Sequence, residues 1–356
     1  MNIFGKKTVV VIGGTGSLGK VFVKRVLSGK LGTPKKIIVM SRDEAKQHQM
    51  RMSYLHKLVA TEEVIYNNFK NILEFRIGDV RDYADVCSVV KSADIVVNAA
   101  ALKQVPTCEY FPTQAVLTNC MGVSNIVRAI EENSYPVNTV ISVSTDKACK
   151  PVNVMGMTKA IQERIIIAAN ILNPGTRFIC VRYGNVLASR GSVIPLFHEQ
   201  IKQGGPVTVT VPEMTRFLLS LNQAVETLFA AINSARRGET YVPNVPAATV
   251  INVAKALIGK MKIDIKITGI RPAEKMHEIM VSDEEATHCV KRGNYYAILP
   301  MLPELMSAGK KERNVLKGEF SSENTALDLA GTVALLKRNK LMTNDVDLTS
   351  NEELLR

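Results

Sequence analysis

Six segments of the chain are continuous apolar runs, and stretches with helical spacing separate them. The runs cover residues 6–14, 35–41, 72–80, 93–101, 138–145 and 177–186. Continuous rather than alternating apolar character is typical of parallel strands that are buried on both faces. Helical stretches between such strands, as in 17–27, form right-handed crossover units. The pattern therefore predicts an α/β fold with a doubly wound parallel sheet.

Beyond residue 190 the pattern changes to short strands and helices, such as the helix predicted over 221–235. This mixture predicts a smaller α+β lobe whose segments interleave partly with the sheet domain. The end of the chain is acidic and lacks an apolar period, so we expect it to be frayed or packed on a partner. The predicted domains are a nucleotide-binding sheet domain over 1–190, a substrate lobe over 191–340 and an acidic tail over 341–356.

The composition indicates a folded protein with a substantial core. Apolar residues make up 46% of the 356 residues and charged residues 22%, close to the averages of folded domains. No run reaches the ~20 apolar residues of a membrane span, and the opening stretch leads into a strand rather than a signal peptide. The six cysteines include no CxxC pair and no cluster with His at zinc spacing. We therefore expect reduced thiols, no metal site and a cytoplasmic protein.

The net charge of +12 is concentrated at the N-terminal end of the chain. Residues 1–60 contain nine Lys and three Arg against only Asp43 and Glu44. Basic proteins can bind nucleic acid, but this chain has no Trp, no zinc finger, no aromatic RNA-binding signature and no basic coiled coil. We predict no nucleic-acid partner, and we expect part of the basic surface to bind a phosphate-bearing small molecule.

Three glycines follow the first predicted strand and begin the first helix. Gly13, Gly16 and Gly19 have the spacing at which glycines permit a tight turn, a close approach of pyrophosphate and the packing of helix on strand. The N–H groups at the start of the helix then bind the anion. Because this turn lies in a strand–helix–strand unit, it predicts a Rossmann-type dinucleotide-binding domain. The predicted cofactor contacts at the turn are Gly13, Thr15, Gly16, Ser17, Leu18 and Gly19.

The end of the second strand favours NADP over NAD as the cofactor. NAD sites place an acidic side chain there, whereas the 2′-phosphate of NADP requires a cation. Ser41 and Arg42 stand at this position, with Lys46 one helical turn further along, and a guanidinium binds phosphate with two parallel hydrogen bonds. The neighbouring Asp43 keeps NAD as the alternative. Further cofactor contacts are predicted after the third and fourth strands, at Asp79, Val80, Ala99 and Ala100.

The stretch 143–160 carries the predicted chemistry. In short-chain dehydrogenase/reductase folds the fifth strand ends in Ser or Thr, and the next helix presents Tyr and Lys four residues apart on one face. Lys159 occupies the lysine position, but Met155 stands where the tyrosine belongs, and a thioether has no titratable proton. Tyr66 and Lys70 have the same spacing, but they precede the third strand, and we interpret that pair as a coincidence.

Five longer stretches carry a resemblance to a known family. They cover residues 99–112, 144–148, 155–159, 182–197 and 214–220. They resemble the UDP-N-acetylglucosamine 4,6-dehydratases, and among these the inverting, 5-epimerising enzymes of capsule-precursor synthesis, in which Met also replaces the catalytic Tyr. The resemblance implies an NADP-dependent lyase that converts UDP-GlcNAc into a UDP-2-acetamido-2,6-dideoxy-4-hexulose. In that reaction hydride leaves sugar C4, water is lost across C5 and C6, and the hydride returns to C6.

The resemblance also implies catalytic roles. Lys147 is the base that removes the C5 proton, Asp146 is the acid that helps the C6 hydroxyl to leave, and Thr145 lies near the C4 oxygen. A lysine acts as a base only if its pKa is lowered, and we expect burial or the neighbouring Lys159 and Lys103 to lower it. The acceptor of the C4 hydroxyl proton stays open between Lys159, Thr145 and a water held by Asp146. Without the resemblance, the segment is also compatible with a simple turn in which Asp146 caps a helix and Lys147 is solvated.

The diphosphate and sugar of such a substrate need cations and polar groups, mostly from the second lobe. The predicted substrate contacts are Lys103, Asn185, Arg190, Arg216, Arg271 and Glu274. By the resemblance, the arginine and glutamate of 269–275 bind the diphosphate and a ribose hydroxyl. The chain departs from the family pattern at Pro272 and Ala273, which bears on its preference for UDP.

Three other functions stay open at this point. The first is dehydration with retention of configuration at C5. The second is a sugar-nucleotide 4-epimerase, although a simple epimerase lacks the Asp146–Lys147 pair. The third is an inactive NADP-binding sensor, which the missing tyrosine favours. The resemblance also implies a homo-oligomer, either a dimer or a hexamer.

Overall fold

Helices cover both faces of a central sheet in the computed structural model, which describes residues 2–55, 63–187, 192–270, 273–306, 312–343 and 345. The strands are β1 (Thr8–Ile12), β2 (Lys36–Ser41), β3 (Leu73–Ile77), β4 (Ile95–Asn98), β5 (Thr139–Thr145), β6 (Arg177–Tyr183), β7 (Val207–Val209), β8 (Thr215–Phe217), β9 (Thr240–Pro243), β10 (Ala247–Thr249), β11 (Ile265–Ile267), β12 (Ile279–Val281), β13 (Cys289–Arg292), β14 (Tyr295–Ile298), β15 (Phe320–Ser321) and β16 (Ala326–Leu327). The helices are α1 (Ser17–Leu27), α2 (Glu44–Leu55), α3 (Glu63–Ile72), α4 (Tyr83–Val90), α5 (Val105–Tyr110), α6 (Pro112–Ala115), α7 (Gly122–Asn133), α8 (Val154–Leu172), α9 (Val193–Lys202), α10 (Leu221–Ser234), α11 (Val250–Ile258), α12 (Asp283–Ala286) and α13 (Leu329–Arg338).

The central sheet has the strand order β13-β14-β9-β6-β5-β4-β1-β2-β3. From β3 to β9 the neighbouring strands are parallel, whereas β14 and β13 are antiparallel. The chain moves outward in opposite directions from β1 and β4, and sheets of this type bind ligands at the carboxyl ends of the strands beside that reversal. The predicted Rossmann-type doubly wound fold is confirmed.

Two apolar layers hold the helices on the sheet. All five residues of β1 are buried, as expected for a strand covered on both faces. On one face Phe22 of α1 and Phe229 of α10 pack with Phe4, with ring centroids 5.3–5.9 Å apart. On the other face, buried Val and Ile residues of α4, α7 and α8 pack against the sheet. The central strands are therefore fixed in position, and so are the loops at their carboxyl ends.

The second lobe consists of small sheets and helices around its own apolar core. Its sheets have the orders β16-β10-β8, β11-β7 and β12-β15, and α9, α11 and α13 pack against them. The boundary predicted at residue 190 cuts through the central sheet, because β9, β14 and β13 follow it in the chain and extend that sheet; the segments of the two domains interleave there. From the sequence, no strand is predicted over these three segments, which have four residues each.

Most predicted elements extend slightly beyond the observed ones. β6, for example, ends at Tyr183, and the apolar character that suggested a strand up to residue 186 belongs to a loop. Tyr66 and Lys70 lie on α3, which precedes β3 as predicted. Twelve of the 16 residues of the predicted acidic tail lie outside the described residues. No helix of the described part combines the length and the apolar character that crossing a membrane requires.

Candidate active site

A cleft of about 860 Å³ opens between the carboxyl ends of the central strands and the second lobe. Most of the residues predicted to bind cofactor or substrate line this one cleft. They are Gly13, Thr15, Gly16, Ser17, Leu18, Gly19, Ser41, Arg42, Lys46, Asp79, Val80, Ala99, Ala100, Lys103, Thr145, Lys147, Met155, Lys159, Asn185, Arg216 and Glu274. Arg190 and Arg271 lie outside the described residues. The fold thus brings together side chains that are distant in the sequence.

The turn between β1 and α1 fits a pyrophosphate. Gly13 has a φ of +78°, and a Cβ there would lie 2.6 Å from the backbone nitrogen of Ala100. A Cβ at Gly19 would lie 2.5 Å from Gly14. Gly16 caps α1 without a side-chain hydrogen bond, so no capping side chain competes with an anion for the N–H groups of the first turn. Gly13 and Gly19 therefore leave no room for a side chain, and the start of α1 is open to an anion, as a dinucleotide site requires.

At the end of β2, both basic side chains have acidic partners. Arg42 Nη1 lies 3.5 Å from Asp79 Oδ2, and the Arg42 side chain is 51% exposed. Lys46 Nζ lies 2.6 Å from Asp43 Oδ2, and Asp43 also accepts a hydrogen bond of 2.9 Å from the Lys46 backbone N–H. Exposed ion pairs of this kind are weak, so an incoming phosphate can compete for Arg42.

Asp146 lies behind the cleft rather than on its wall. β5 ends at Thr145, and residues 146–148 form a single 3₁₀ turn. Thr145 caps that turn by accepting a hydrogen bond from the Lys147 N–H. The Asp146 side chain is fully buried; its Oδ1 accepts a hydrogen bond of 2.8 Å from the Thr145 hydroxyl, and its Oδ2 is buried without a partner. The alternative in which Asp146 is the cap and Lys147 is solvated is therefore wrong.

The Lys147 amine lies between two carboxylates. Its Nζ is 3.0 Å from Asp146 Oδ1 and 3.0 Å from Glu278 Oε1, and it donates a hydrogen bond of 3.3 Å to Asn185 Oδ1. Burial alone would lower the pKa of Lys147, but the charges of Asp146 and Glu278 outweigh burial and raise it. The expected lowering of this pKa is wrong for the structure described, because the charged groups that dominate around the amine are carboxylates rather than lysines.

The Asp146 carboxyl has the opposite shift. Its pKa is raised, first by burial and then by repulsion from Glu278, although Lys147 and the Thr145 hydroxyl act against the shift. Burial without full compensation favours the neutral form of a carboxylic acid. The site therefore combines a carboxyl group that tends to keep its proton with an adjacent lysine.

Met155 and Lys159 lie on α8, at the positions that the helical spacing predicts. Met155 is buried in a small apolar cluster with Cys108 and Ala115. Lys159 Nζ donates hydrogen bonds of 2.6 Å to the Val143 carbonyl and 2.7 Å to Gln162 Oε1. Burial lowers the pKa of Lys159 to about 8. The lysine with the lowered pKa in this site is thus Lys159, not Lys147.

At the other end of the cleft, Arg216 of β8 pairs with Glu274. Arg216 Nη2 lies 3.0 Å from Glu274 Oε1, and its Nη1 donates a hydrogen bond of 2.8 Å to the Thr215 carbonyl. Lys275 points elsewhere, because its Nζ donates a hydrogen bond of 2.7 Å to the Cys149 carbonyl. Arg216 and Glu274 are thus the described members of the predicted diphosphate-binding group.

Sequence reasoning missed two residues of this region. Glu278 lies outside every quoted stretch of similarity, and only the structure brings it to Lys147. Tyr183 lines the cleft, and burial raises the pKa of its phenol. Tyr183 lies within the similar stretch 182–197, but in the sequence analysis it is part of the sixth strand and has no assigned role. Among the described residues, no group of three or more His, Cys, Asp or Glu side chains is arranged to hold a metal ion.

Comparison with known proteins identifies the family. A family model described as polysaccharide biosynthesis protein matches residues 9–300, and the chain belongs to this family. It is 42% identical over 334 residues to a protein of Rickettsia typhi named UDP-glucose 4-epimerase, an alignment that covers 91% of this chain and 93% of that protein.

Solved structures show the same fold. The X-ray structure of Pen from Bacillus thuringiensis superposes with a TM-score of 0.83 at 32% identity and covers 95% of this chain and 99% of that one. DesIV from Streptomyces venezuelae, a dTDP-glucose 4,6-dehydratase, has a TM-score of 0.63 at 19% identity, over 76% of this chain and 86% of that one. At that identity the likeness to DesIV shows the fold alone.

Proposed function

We propose that this protein is a UDP-GlcNAc 4,6-dehydratase that inverts the configuration at C5 and supplies a precursor of a surface polysaccharide. The observation that carries the proposal is the pair at the end of β5, a fully buried Asp146 whose Oδ1 lies 3.0 Å from the Lys147 amine. Adjacent acid and base groups suit an elimination, in which one removes a proton and the other protonates a leaving hydroxyl. The sequence resemblance supports the same reaction.

Under this proposal the cleft holds NADP. The glycine turn after β1 would bind its pyrophosphate, and Arg42 would bind the 2′-phosphate, because its exposed pair with Asp79 is weak. The pair of Asp43 with Lys46 is exposed as well, so Asp43 keeps NAD as the alternative. If bound there, the nicotinamide would supply the hydride chemistry that the reaction needs at sugar C4 and C6. Everything else in the reaction is proton transfer, which the chain's own side chains must perform.

The two residues after β5 divide the elimination between them. The raised pKa of Asp146 suits a carboxyl that supplies the proton for the C6 hydroxyl; because Asp146 does not line the cleft, the proton would pass through the Thr145 hydroxyl that contacts it. Lys147 reaches the cleft, with 19% of its side chain exposed, and would remove the C5 proton once a ketone at C4 makes that proton acidic. Because Asp146 and Glu278 raise the pKa of Lys147, its ammonium must lose a proton first. The Thr145 hydroxyl, which donates a hydrogen bond to Asp146 and also lines the cleft, is proposed to lie near the C4 oxygen.

The decisive experiment is incubation of the purified protein with UDP-GlcNAc, followed by mass spectrometry for the loss of one water. Proton NMR of the product formed in heavy water then gives the C5 configuration and its deuterium content. Lys147→Ala should abolish the product while the cofactor stays bound. Lys150→Ala is the matched control, because Lys150 is exposed and pairs with Asp283 and Glu319 outside the cleft. Normal turnover by Lys147→Ala would refute the assigned base.

A 4-epimerase is the second candidate, and the Rickettsia relatives favour it because they are named UDP-glucose 4-epimerase. This reaction interconverts isomers, so its product keeps the mass of the substrate and the C6 hydroxyl. It also needs no acid–base pair for C5 and C6. Incubation with UDP-glucose and with UDP-GlcNAc, with chromatographic separation of the 4-epimers, distinguishes it from dehydration.

We also propose that the protein forms a homo-oligomer, as the resemblance implies. Large apolar side chains that a second copy could cover are exposed on and beside the α5–α8 region, such as Tyr110, with 82% of its surface exposed, Phe111 with 59% and Ile161 with 51%. Light scattering should give a particle mass of at least two chains, and a single-chain mass at micromolar concentration would refute the proposal.

A further inference from the structure

Lys159 is a buried lysine of the cleft to which the proposed mechanism gives no role. It lies on α8, and only 5% of its surface is exposed, yet it lines the cleft together with Val143 and Thr145 of β5. Met155 precedes it by about one helical turn and lines the same cleft. The Lys159 amine is therefore available beside a thioether that has no proton to exchange.

Two acceptors hold the Lys159 amine in place. Its Nζ donates hydrogen bonds of 2.6 Å to the Val143 carbonyl and 2.7 Å to Gln162 Oε1. Gln162 is fully buried, and its Nε2 donates hydrogen bonds of 2.7 Å to the Ser142 hydroxyl and 3.0 Å to the Val143 carbonyl. These contacts fix the amide with its oxygen towards Lys159. Strand β5 and helix α8 together therefore determine where the amine lies.

The number of these acceptors suits a neutral amine. An ammonium has three N–H donors, and among the described residues only Val143 and Gln162 accept a hydrogen bond from this one. A neutral amine has two N–H donors and a lone pair, so the same two contacts satisfy it and leave the lone pair free. A buried N–H without a partner is costly. The hydrogen bonds of the site thus favour the form of Lys159 that can accept a proton.

The charges around Lys159 do not hold it as an ammonium. Glu163 attracts the ammonium, but this carboxylate already pairs with Arg182 at 2.6 Å. Cys120 and Cys180 also face the amine, and burial raises the pKa of both thiols, so neither has a charge at neutral pH. Burial outweighs these attractions and lowers the pKa of Lys159 to about 8.

The other polar groups of the cleft are less suited to accept a proton. Two carboxylates raise the pKa of Lys147, and burial raises that of the Tyr183 phenol. The Thr145 hydroxyl donates its hydrogen bond to Asp146, and a neutral hydroxyl is a weak base. Burial also lowers the pKa of Lys103, but Lys103 is an exposed residue of the loop after β4. Lys103 is therefore the competitor that an experiment has to separate from Lys159.

We propose that Lys159, as a neutral amine, is the catalytic base that accepts the proton of the sugar C4 hydroxyl. This role deepens the proposed function and rests on one part of it, the oxidation at C4. The second candidate, a 4-epimerase, begins with the same oxidation. Lys159 then performs the acid–base task of the tyrosine that Met155 replaces.

Atoms and electrons balance in this step. The O–H bond at C4 breaks, its proton moves to the lone pair of Lys159 Nζ, and its electrons form the second bond of the ketone. The C4–H bond breaks as well, and its hydrogen and electron pair leave as hydride to the oxidised nicotinamide cofactor, which is the oxidant. The dehydrated product keeps the ketone, so the Lys159 ammonium gives its proton to solvent before the next turnover.

Oxidation at C4 can be measured alone in Lys147→Ala, because that variant lacks the proposed C5 base. After rapid mixing of its holoenzyme with UDP-GlcNAc, absorbance reports the formation of reduced nicotinamide. The rate should rise about tenfold per pH unit up to about pH 8 and level off above it, where the amine is neutral. Adding Lys159→Arg should lower the rate by at least about 100-fold and remove the pH dependence, because a guanidinium stays protonated.

A second measurement needs no turnover. In protein with isotope-labelled lysine and without substrate, the NMR signal of Lys159 Cε is assigned by its loss in Lys159→Arg. It should titrate near pH 8, whereas exposed lysines titrate near about pH 10.4. Lys150→Arg is the matched control, because Lys150 is exposed and pairs with Asp283 outside the cleft; it should change neither the titration nor the rate. Lys103→Arg should leave the pH dependence of the oxidation in place.

Three outcomes decide the proposal. If Lys159→Arg oxidises C4 within about threefold of its parent's rate, or if Lys103→Arg removes the pH dependence instead, the role of Lys159 is overturned and the proposed function stands. If reduced cofactor forms with the expected pH profile but the wild type releases no water, the dehydratase is overturned and the role of Lys159 stands. If neither reduced cofactor nor dehydrated product forms, both are overturned.

A second variant covers the case in which Lys159→Arg fails to fold. Lys159→Met then replaces it, because the thioether fits an apolar site and has no basic nitrogen. It should show the same loss of C4 oxidation and the same missing Cε signal. A Lys159 signal that titrates only above about pH 10 would overturn the proposal with either variant.

Discussion

Removing the Arg182 guanidinium should destabilise the protein more than any change on the cleft wall. Arg182 lies on β6 and is 2% exposed. It makes charge-assisted hydrogen bonds of 2.6–3.0 Å to Glu163 of α8 and to Glu285 of α12, and one of 2.7 Å to the Met280 carbonyl. This network joins the sheet to the segment that carries Glu278. We therefore consider the substitution Arg182→Met.

The magnitude follows from the two carboxylates that the substitution leaves buried. Breaking a buried ion pair by removing one partner costs about 3–5 kcal/mol, and Arg182 forms ion pairs with both Glu163 and Glu285. We expect a loss of about 5 kcal/mol in the free energy of unfolding, which is comparable with the whole stability of many domains. Adding Glu163→Gln and Glu285→Gln should recover much of it, because no buried charge then stays unpaired.

The loss in the free energy of unfolding that Arg182→Met causes should depend on pH. Burial would raise the pKa of Glu285, but Arg182 keeps it below its ordinary value, so in the wild type this carboxylate contributes stability that is lost as the pH falls. Without Arg182, the pKa of Glu285 in the folded protein rises above its value in the unfolded chain. The variant therefore loses stability as the pH increases. Urea denaturation should thus show a gap between variant and wild type that widens from about pH 5 to about pH 8. A loss below about 1 kcal/mol, or a gap that narrows, would refute this reasoning.

Three further predictions concern the cleft. Gly13→Ala should prevent cofactor binding and lower the melting temperature, because its φ of +78° and the nearby backbone leave no room for a Cβ. Gly175→Ala should do neither, because a Cβ at Gly175 would have nothing within 4 Å; equal melting temperatures of the two variants would contradict this. Arg42→Ala should weaken NADP binding about tenfold or more and NAD binding little. Arg76→Ala is the control, because Arg76 is exposed and pairs with Glu74; equal losses of NADP and NAD binding by Arg42→Ala in a fluorescence titration would argue against the 2′-phosphate contact. Lys159→Met should be more stable than the wild type at pH 7, by at most about 3 kcal/mol, because the buried Lys159 of the wild type, with a pKa of about 8, is charged at that pH. The gain should shrink towards pH 10, where Lys159 is neutral, and a gain that grows with pH in denaturation experiments would disprove this.

The sequence locates the glycine turn after β1 where the structure has it, because that prediction depends on what the backbone requires. The glycines after β1 are needed where a Cβ would collide with Ala100 or Gly14, and such requirements are local in the chain. The same holds for the continuous apolar runs, which are the direct result of strands buried on both faces.

The electrostatics of the catalytic pair could not be predicted in this way. The pKa of Lys147 depends on Glu278, which is 131 residues away in the chain and reaches the amine only because β12 lies beside the end of β5. Asp146 looked like a residue on the wall of the cleft, yet it is buried behind it. Because Glu278 belongs to a distant part of the chain, the sequence around Lys147 contains no pattern that indicates it. The direction of the pKa shift of Lys147 therefore could not be predicted from the sequence.

Segments before and after residue 190 both contribute strands to the central sheet, and this limits where the chain can be cut. β6 is covered along one side by β9, a strand that the chain reaches only after it has begun the second lobe. A fragment that stops before β9 would expose the N–H and C=O groups of an apolar strand to any other chain, which is the usual starting point of intermolecular β-sheet aggregation. When the protein is truncated, split for a reporter fusion or recombined with a relative, residues 177–298 should therefore stay in one fragment.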